Sequence, residues 1–276
     1  MAMIIILLLI GLLAGVLASL VGIGGGLIIV PALLFLGTYT LIIPEISPQL
    51  AVGTSMVVVL ATGLSSTLAY MKQKKVDYKS GLYFFMGSGP GAILGAYVNS
   101  FFDFEGFSII FGFFILGISI LLMLRHRLKP FPLKQSIQRE WESDTGEKTI
   151  YGYSLKVAIP IAFFVGGVSG LFGIGGGTIM VPVMIMIFLF PPHVAVATSM
   201  FMIFLSAITG SITHVAMGNV EWLYVFLLTA GAWVGAKIGA NLNQRLNSES
   251  IVFLLRLVLI LVALRLIWEG SAPFFT

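Results

Sequence analysis

The chain has 276 residues, of which 58% are hydrophobic and only 9% are charged. Soluble domains carry roughly 25% charged residues, so this composition excludes an ordinary water-soluble protein and indicates a chain surrounded by lipid. The net charge of +4 is spread over loops, which argues against nucleic-acid binding, and the lack of cysteine in the sequence excludes disulfides and thiolate-bound metals.

Five apolar segments are predicted in the first part of the chain. Crossing a bilayer takes about 20 apolar residues, and most of these segments are long enough to do so as helices. Strands are excluded, because the runs are long and do not alternate in polarity. The segments cover residues 3–21, 27–36, 49–71, 80–100 and 105–125.

The first interruption is the motif GIGGG at residues 22–26, with Pro31 five positions further on. Glycine costs about 1 kcal/mol per residue in a helix relative to alanine, so the helix is predicted to break here. The helix that restarts near Leu27 would direct free N–H groups and the positive end of its dipole into the break, which is typical of an anion site. The alternative is that these glycines only allow close helix packing.

The third segment begins with a hydroxyl motif, Thr54-Ser55-Met56. On a helix Ser55, Thr62 and Ser66 share one face, which would suit a substrate path. The alternative is that these hydroxyls bond to their own helix backbone. In the fourth segment the spacing of Gly87, Gly91 and Gly95 predicts close packing against another helix rather than substrate contact.

Residues 126–154 form a long polar stretch, which we interpret as a solvent-exposed cytoplasmic linker that could carry a short surface helix. Basic residues crowd the loops next to the cytoplasm in membrane proteins. Lys72, Lys74, Lys75 and Lys79 therefore place the loop before the fourth segment on the cytoplasmic side.

The second part of the chain repeats the first. LFGIGGGTIMVP at residues 171–182 matches LVGIGGGLIIVP at 20–31, and AVATSM at 195–200 matches AVGTSM at 51–56. Two homologous repeats follow, at residues 1–125 and 155–276, joined by the linker 126–154. The second set of segments covers residues 156–172, 178–190, 194–216, 220–242 and 249–268.

The fold class is therefore an all-α polytopic membrane protein with about eight to ten membrane segments, each repeat containing a glycine-broken or re-entrant helix pair. The loop at Gly218-Asn219 carries no basic residue, although its counterpart is rich in lysine. This difference favours inverted repeats. Parallel repeats with four full spans each remain the alternative.

Few ionisable residues fall inside the segments. Lys237, Arg256 and Arg265 lie near segment ends, where their side chains can reach the membrane surface. His214 is the counterpart of Tyr70, and a role in proton coupling is a further possibility. The histidines lack the spacing of metal ligands and no catalytic dyad is present, so we expect no metal site, no cofactor and no enzymatic activity.

The doubled GIGGG and TSM motifs resemble those of the TauE/SafE sulfite exporter family of membrane permeases. The resemblance covers nearly the whole chain outside the linker. It implies a prokaryotic inner-membrane exporter of sulfite, organosulfonates or related small anions, with substrate held near the two motifs of each repeat. The candidate substrate-binding residues are Gly22, Gly24, Gly25, Gly26, Thr54, Ser55, Gly173, Gly175, Gly176, Gly177, Thr198 and Ser199.

The energy source and the assembly follow less directly. Since the chain has no nucleotide-binding motif, an ion gradient is expected to drive transport, most simply a proton gradient. The protein could act alone or as a homodimer in the lipid bilayer. Two other functions stay open, an anion channel or passive pore and a membrane scaffold subunit without transport activity.

Overall fold

The computed structural model describes residues 1–124, 135–142, 148–243 and 249–271. Ten helices account for most of them, as the apolar segments predict. The five helices of the first repeat are α1 (Ala2–Val21), α2 (Gly26–Tyr39), α3 (Pro48–Lys72), α4 (Tyr78–Asn99) and α5 (Phe104–Leu124). Those of the second are α6 (Leu155–Phe172), α7 (Gly177–Met186), α8 (Pro192–Ala216), α9 (Trp222–Leu242) and α10 (Glu249–Ser271).

Six of the described helices are long and apolar enough to cross a membrane: α1, α3, α5, α6, α8 and α9. The two helices that follow the glycine motifs are shorter, as expected for helices that start inside the membrane. The predicted all-α polytopic architecture with two glycine-broken helix pairs is confirmed.

Helices of one repeat pack closely against helices of the other repeat at glycine residues. In α4, a Cβ atom on Gly87, Gly91 or Gly95 would run into the backbone of α6, and Gly231 and Gly235 of α9 meet the backbone of α1 in the same way. Successive contacts advance in the same chain direction, so α4 lies parallel to α6 and α9 parallel to α1. The predicted role of these glycines in close packing is confirmed.

The longest helices, α3 and α8, lie antiparallel. Gly53 near the start of α3 is next to Asn219, just after α8, and Gly63 in the middle of α3 faces Phe204 in the middle of α8. The helices α5 and α10 are also antiparallel, since Gly112 faces Ile267 and Gly270 faces Glu105. Two repeats whose equivalent helices run in opposite directions are inverted, which excludes the parallel alternative.

The linker departs from the expectation of a solvent-exposed stretch with a short surface helix. Its described part forms an antiparallel hairpin of β1 (Ile137–Glu142) and β2 (Lys148–Tyr153). Tyr151 and Tyr153 are buried against the aromatic rings of Phe188 and Phe190, in the loop between α7 and α8. The hairpin is therefore packed onto the helices. The limits of the linker and of the repeats, at residues 125 and 155, stay predictions.

Candidate functional site

The two glycine breaks pass each other at the centre of the molecule. A Cβ on Gly26 would overlap the carbonyl oxygen of Gly173, and one on Gly177 would overlap that of Gly22. A Cβ on Gly175 would lie 3.2 Å from the Cα of Gly24. The segments 22–26 and 173–177 therefore run antiparallel in direct backbone contact, and a single site contains both motifs.

The glycines of the breaks serve two physical needs. Gly22, Gly24 and Gly25 have φ angles of 80°, 89° and 79°, in the left-handed region that other residues avoid. Their equivalents Gly173, Gly175 and Gly176 do the same. Gly26 and Gly177 have ordinary φ angles but leave no room for a side chain. All eight predicted glycines are thus brought together in the structure.

Side chains of the opposite repeat complete the ends of α1 and α6. The last carbonyl groups of a helix lack partners within it. Asn243 donates a hydrogen bond of 2.7 Å to the carbonyl oxygen of Leu20, and Asn99 donates one of 2.9 Å to that of Leu171. The negative ends of the two helices are thereby satisfied.

The starts of α2 and α7 are not satisfied in this way. Within each helix the first bonds are made by Ile28 to Gly25 and by Ile179 to Gly176. The N–H groups of the preceding residues, Gly26 and Leu27 or Gly177 and Thr178, have no acceptor in the described part of the protein. Two helix N-termini with free donors therefore open into the crossing of the breaks, where their dipoles favour negative charge.

The second break also carries buried hydroxyls without partners. Thr178 lies in the first turn of α7 and is 1% exposed, and its hydroxyl makes no hydrogen bond. Ser169 is fully buried, its hydroxyl is also unpaired, and its Cβ would be 3.5 Å from a Cβ on Gly176. Since buried hydroxyls are normally paired, these two atoms are candidate hydrogen-bond donors to a polar ligand beside the break.

The serines of the TSM motifs reach the breaks of the opposite repeat. The hydroxyl of Ser55 donates to the carbonyl oxygen of Gly173 at 2.9 Å. The hydroxyl of Ser199 is 3.4 Å from the carbonyl oxygen of Gly22 and 2.8 Å from the carbonyl oxygen of Val196. The structure thus brings both serines to the site, where they hold the glycine backbone.

The threonines of the same motifs contact loops instead. Thr54 accepts a hydrogen bond of 2.9 Å from the N–H of Glu221, and Thr198 accepts one of 3.0 Å from the N–H of Asp77. Glu221 and Asp77 are the residues just before α9 and α4. Each threonine keeps its own hydroxyl hydrogen for another acceptor.

The β hairpin is fastened to the protein through Asp77. Arg139 makes two hydrogen bonds to this carboxylate, at 2.9 Å and 3.2 Å, and the hydroxyl of Tyr151 donates a third at 3.0 Å. Burial raises the pKa of Asp77, but the hydrogen bonds from Arg139 and Ser80 outweigh it and leave the pKa below its ordinary value. Burial and Asp77 raise the pKa of Tyr153, which donates to Ser80, to about 12.

Two ionisable residues near helix ends contact neighbouring side chains. The Lys237 ammonium is 5.6 Å from the ring centre of Trp233, and Arg265 pairs with Glu269 at 2.6 Å. Arg265 also borders a cavity of about 380 Å³ between α2 and α10 that is lined mainly by apolar side chains. The side chain of Arg256 lies outside the described residues. Among the described side chains, no group of three acids, histidines or cysteines could hold a metal ion.

Several residues of the site were missed from the sequence. Asn99 and Asn243, which cap α6 and α1, occupy equivalent positions in the two repeats, so the internal match could have found them. The alternation of Ile137, Arg139 and Trp141 with polar neighbours was a strand signal in the linker. No pattern in the sequence pointed to Asp77 as the partner of Arg139.

Comparison with known proteins agrees with this architecture. The family model for "Sulfite exporter TauE/SafE" matches residues 7–266. The chain belongs to the TauE/SafE family. Relatives include "Probable membrane transporter protein YunE" of Bacillus subtilis, 52% identical over 96% of this chain and 98% of the relative. Another, "Probable membrane transporter protein MJ0441" of Methanocaldococcus jannaschii, is 27% identical over 92% of this chain and 91% of the relative.

No solved structure matches the chain. The TauE/SafE match extends from α1 into α10 and includes both glycine breaks, the TSM motifs and the hairpin. Together with the apolar helices, it makes this chain a membrane transporter.

Proposed function

We propose that this TauE/SafE protein is a secondary transporter that exports small sulfur-containing anions, such as sulfite or organosulfonates. The observation that carries this proposal is the crossing of two buried glycine breaks, where two helix N-termini present free N–H donors. A small oxyanion needs several such donors, and helix ends can supply positive potential without a fixed cation.

We place the anion beside the crossing, bound by N–H groups of α2 and α7 and by hydroxyls of the surrounding helices. The residues proposed to surround the anion are Gly22, Gly24, Gly25, Gly26, Thr54, Ser55, Gly173, Gly175, Gly176, Gly177, Thr198 and Ser199, to which the unpaired Ser169 and Thr178 are added. Because both inverted repeats contribute to the site, movement of one repeat against the other would expose it to each side in turn.

The distribution of charge supports an orientation in the prokaryotic inner membrane. Lys72, Lys74, Lys75 and Lys79 lie at the same end of the molecule as the β hairpin, whose Arg139 contacts Asp77. Since basic loops face the cytoplasm, the hairpin is cytoplasmic and the loop before α9 faces outward. Proton movement is the simplest source of energy, and either one chain or a homodimer forms the working unit.

Counterflow in proteoliposomes tests the function. Vesicles preloaded with sulfite, sulfate, thiosulfate, sulfoacetate or buffer are diluted into radiolabelled sulfite. Transient accumulation that depends on a preloaded anion would establish a carrier. Leakage without accumulation would indicate a passive pore, and the absence of any flux through folded protein would overturn the proposal in favour of a scaffold.

Gly25→Val connects that activity to the breaks. A Cβ on Gly25 would be no closer than 3.4 Å to its neighbours, but valine resists the φ angle of 79°. We expect folded protein with counterflow reduced at least tenfold. Gly117→Val is the control, because no atom lies within 4 Å of a Cβ there. Equal counterflow in the two variants would place the anion elsewhere.

A further inference from the structure

Two equivalent side chains cap the last turns of α1 and α6. The hydroxyl of Tyr70 donates to the carbonyl oxygen of Ser19 at 2.6 Å. In the other repeat, Nε2 of His214 lies 3.1 Å from the carbonyl oxygen of Gly170. Ser19 and Gly170 are equivalent residues near the helix ends, so both bonds satisfy a carbonyl that the helix leaves free.

The histidine leaves one atom without a partner. A carbonyl oxygen only accepts hydrogen bonds, so Nε2 of His214 carries the hydrogen and Nδ1 has a free lone pair. His214 is fully buried, and Nδ1 makes no hydrogen bond in the described part of the protein. The equivalent Tyr70 makes such a bond without a bare ring nitrogen. The structural bond alone therefore does not account for a histidine.

A proton on Nδ1 would be favourably placed with respect to helix dipoles. His214 lies in the last turn of α8 and bonds to the last turn of α6, so the negative ends of two helices face its ring. Burial opposes the charged form. Histidine ordinarily gains or loses a proton near neutral pH, so these two opposing effects can decide whether its ring is charged.

Among the described residues, no titratable group of the neighbouring elements makes a hydrogen bond to the ring. The nearest acid along the chain is Glu221, whose N–H bonds to Thr54, next to the Gly53 that packs on His214. Its side chain is partly exposed. The remaining titratable groups on helices packed against α8 are Tyr70 and Lys72 of α3, Tyr78, Lys79, Tyr83 and Tyr97 of α4, and Lys156 of α6.

The position of His214 connects it to the anion site. Gly170, which it contacts, is three residues before Gly173, where the second break begins. We propose that His214 is the proton-binding side chain of the transport cycle and that Nδ1 takes up a proton when the anion binds. This inference rests on the proposed function. One added positive charge beside the break favours an anion there, so proton and anion move together.

Export remains compatible with this coupling. A dianion that travels with one proton carries one net negative charge, so an interior-negative membrane potential, and not inward movement of protons, drives its exit. An imposed pH gradient should draw the anion toward the alkaline side.

The test compares two kinds of flux in wild type, His214→Tyr and His214→Gln. Both variant side chains carry a hydrogen-bond donor that can replace Nε2 at the Gly170 carbonyl, and neither takes up a proton near neutral pH. Sulfite counterflow is measured at equal pH, and sulfite accumulation is measured with an alkaline interior. The ratio of accumulation to counterflow should fall at least tenfold in both variants. Sulfite takes up a proton itself near neutral pH, but equally for every variant.

Tyr70→Phe is the matched control, because it removes the equivalent bond in the first repeat and leaves His214 in place. Its ratio should equal that of wild type. A wild-type ratio in the His214 variants would overturn the inference while the proposed function stands. Wild-type protein without counterflow would overturn the proposed function itself.

A second measurement needs no change at His214. The chain has three histidines, so ¹³C-labelled ring signals can be assigned with His126→Gln and His193→Gln. The His214 signal should titrate near neutral pH, and its curve should shift toward higher pH when sulfite is added. A signal that does not titrate near neutral pH with sulfite present would rule the role out.

Discussion

The loop before α4 and its equivalent before α9 are anchored alike but covered differently. In each, a TSM threonine of the other repeat accepts a hydrogen bond from the last loop residue, Asp77 or Glu221. The Asp77 carboxylate is buried and bonded to Arg139, Tyr151 and Ser80. The Glu221 side chain is partly exposed and makes no cap hydrogen bond at the start of α9.

This difference distinguishes contacts that both inverted repeats need from contacts that occur at only one membrane surface. The contacts around the glycine breaks occur twice, because each break needs the same backbone geometry. The hairpin comes from the single linker, and it covers one end of the molecule. The free energy needed to open the site is therefore expected to differ between the two ends, although the glycine breaks between them are equivalent.

The largest effect should come from adding a methyl group where the breaks touch. Gly26→Ala and Gly177→Ala place a Cβ into the opposite backbone, which cannot move aside as a side chain could. We expect each to destabilise the protein by more than about 3 kcal/mol, measured by thermal unfolding and by recovery of monodisperse protein. Equal losses would show that the two breaks are energetically equivalent.

Gly117→Ala provides the control for that pair, since its Cβ would meet nothing within 4 Å. Its stability should equal that of wild type or exceed it by up to about 1 kcal/mol, because alanine is favoured over glycine inside a helix. If Gly26→Ala were as stable as Gly117→Ala, the close approach of the two breaks would be wrong.

A smaller effect is expected from the acids of the two loops. Asp77→Asn removes the charge that pairs with Arg139, whose side chain is 32% exposed, so we expect a loss of about 1 to 3 kcal/mol. Glu221→Gln should change stability by less than about 0.5 kcal/mol. Thermal unfolding of both purified variants measures the difference, and a greater loss at Glu221 would contradict the asymmetry.

The same ion pair makes the hairpin sensitive to acid. The folded-state pKa of Asp77 is lowered, so its contribution to stability is complete above the unfolded value of about 4 and is lost as the pH falls through the lower folded pKa. Protection of residues 148–153 from hydrogen exchange, measured relative to the intrinsic exchange rate at each pH, should fall over that interval. Arg139→Gln should make the stability of the hairpin depend less on pH. If the pH dependence is unchanged in that variant, a group other than Asp77 causes it.

Much of this architecture could be predicted from the sequence, because its determinants are local and duplicated. Runs of apolar residues predict the helices, and glycines 22–26 and 173–177 predict the breaks. The lack of basic residues at Gly218 was enough to favour inversion, which the antiparallel packing of α3 on α8 confirms.

The contacts between the repeats could not be predicted in the same way. Ser55 and Thr54 are neighbours in the sequence, yet one bonds to Gly173 and the other to the loop at Glu221. Which partner each hydroxyl finds depends on how α3 is rotated against the second repeat, and no local pattern specifies that rotation. The packing of the hairpin onto Asp77 depends likewise on tertiary contacts.

The smallest effect should distinguish the two TSM serines. Ser55 makes a bond of 2.9 Å to Gly173, whereas Ser199 is 3.4 Å from Gly22 and already bonded to Val196 at 2.8 Å. Ser55→Ala should therefore cost about 1 kcal/mol of unfolding free energy, and Ser199→Ala about half as much. If the serines also contact the anion, the KM for sulfite should rise in both variants, whichever of them loses more stability. A larger loss of stability in Ser199→Ala than in Ser55→Ala would contradict the hydrogen bonds described for the two breaks.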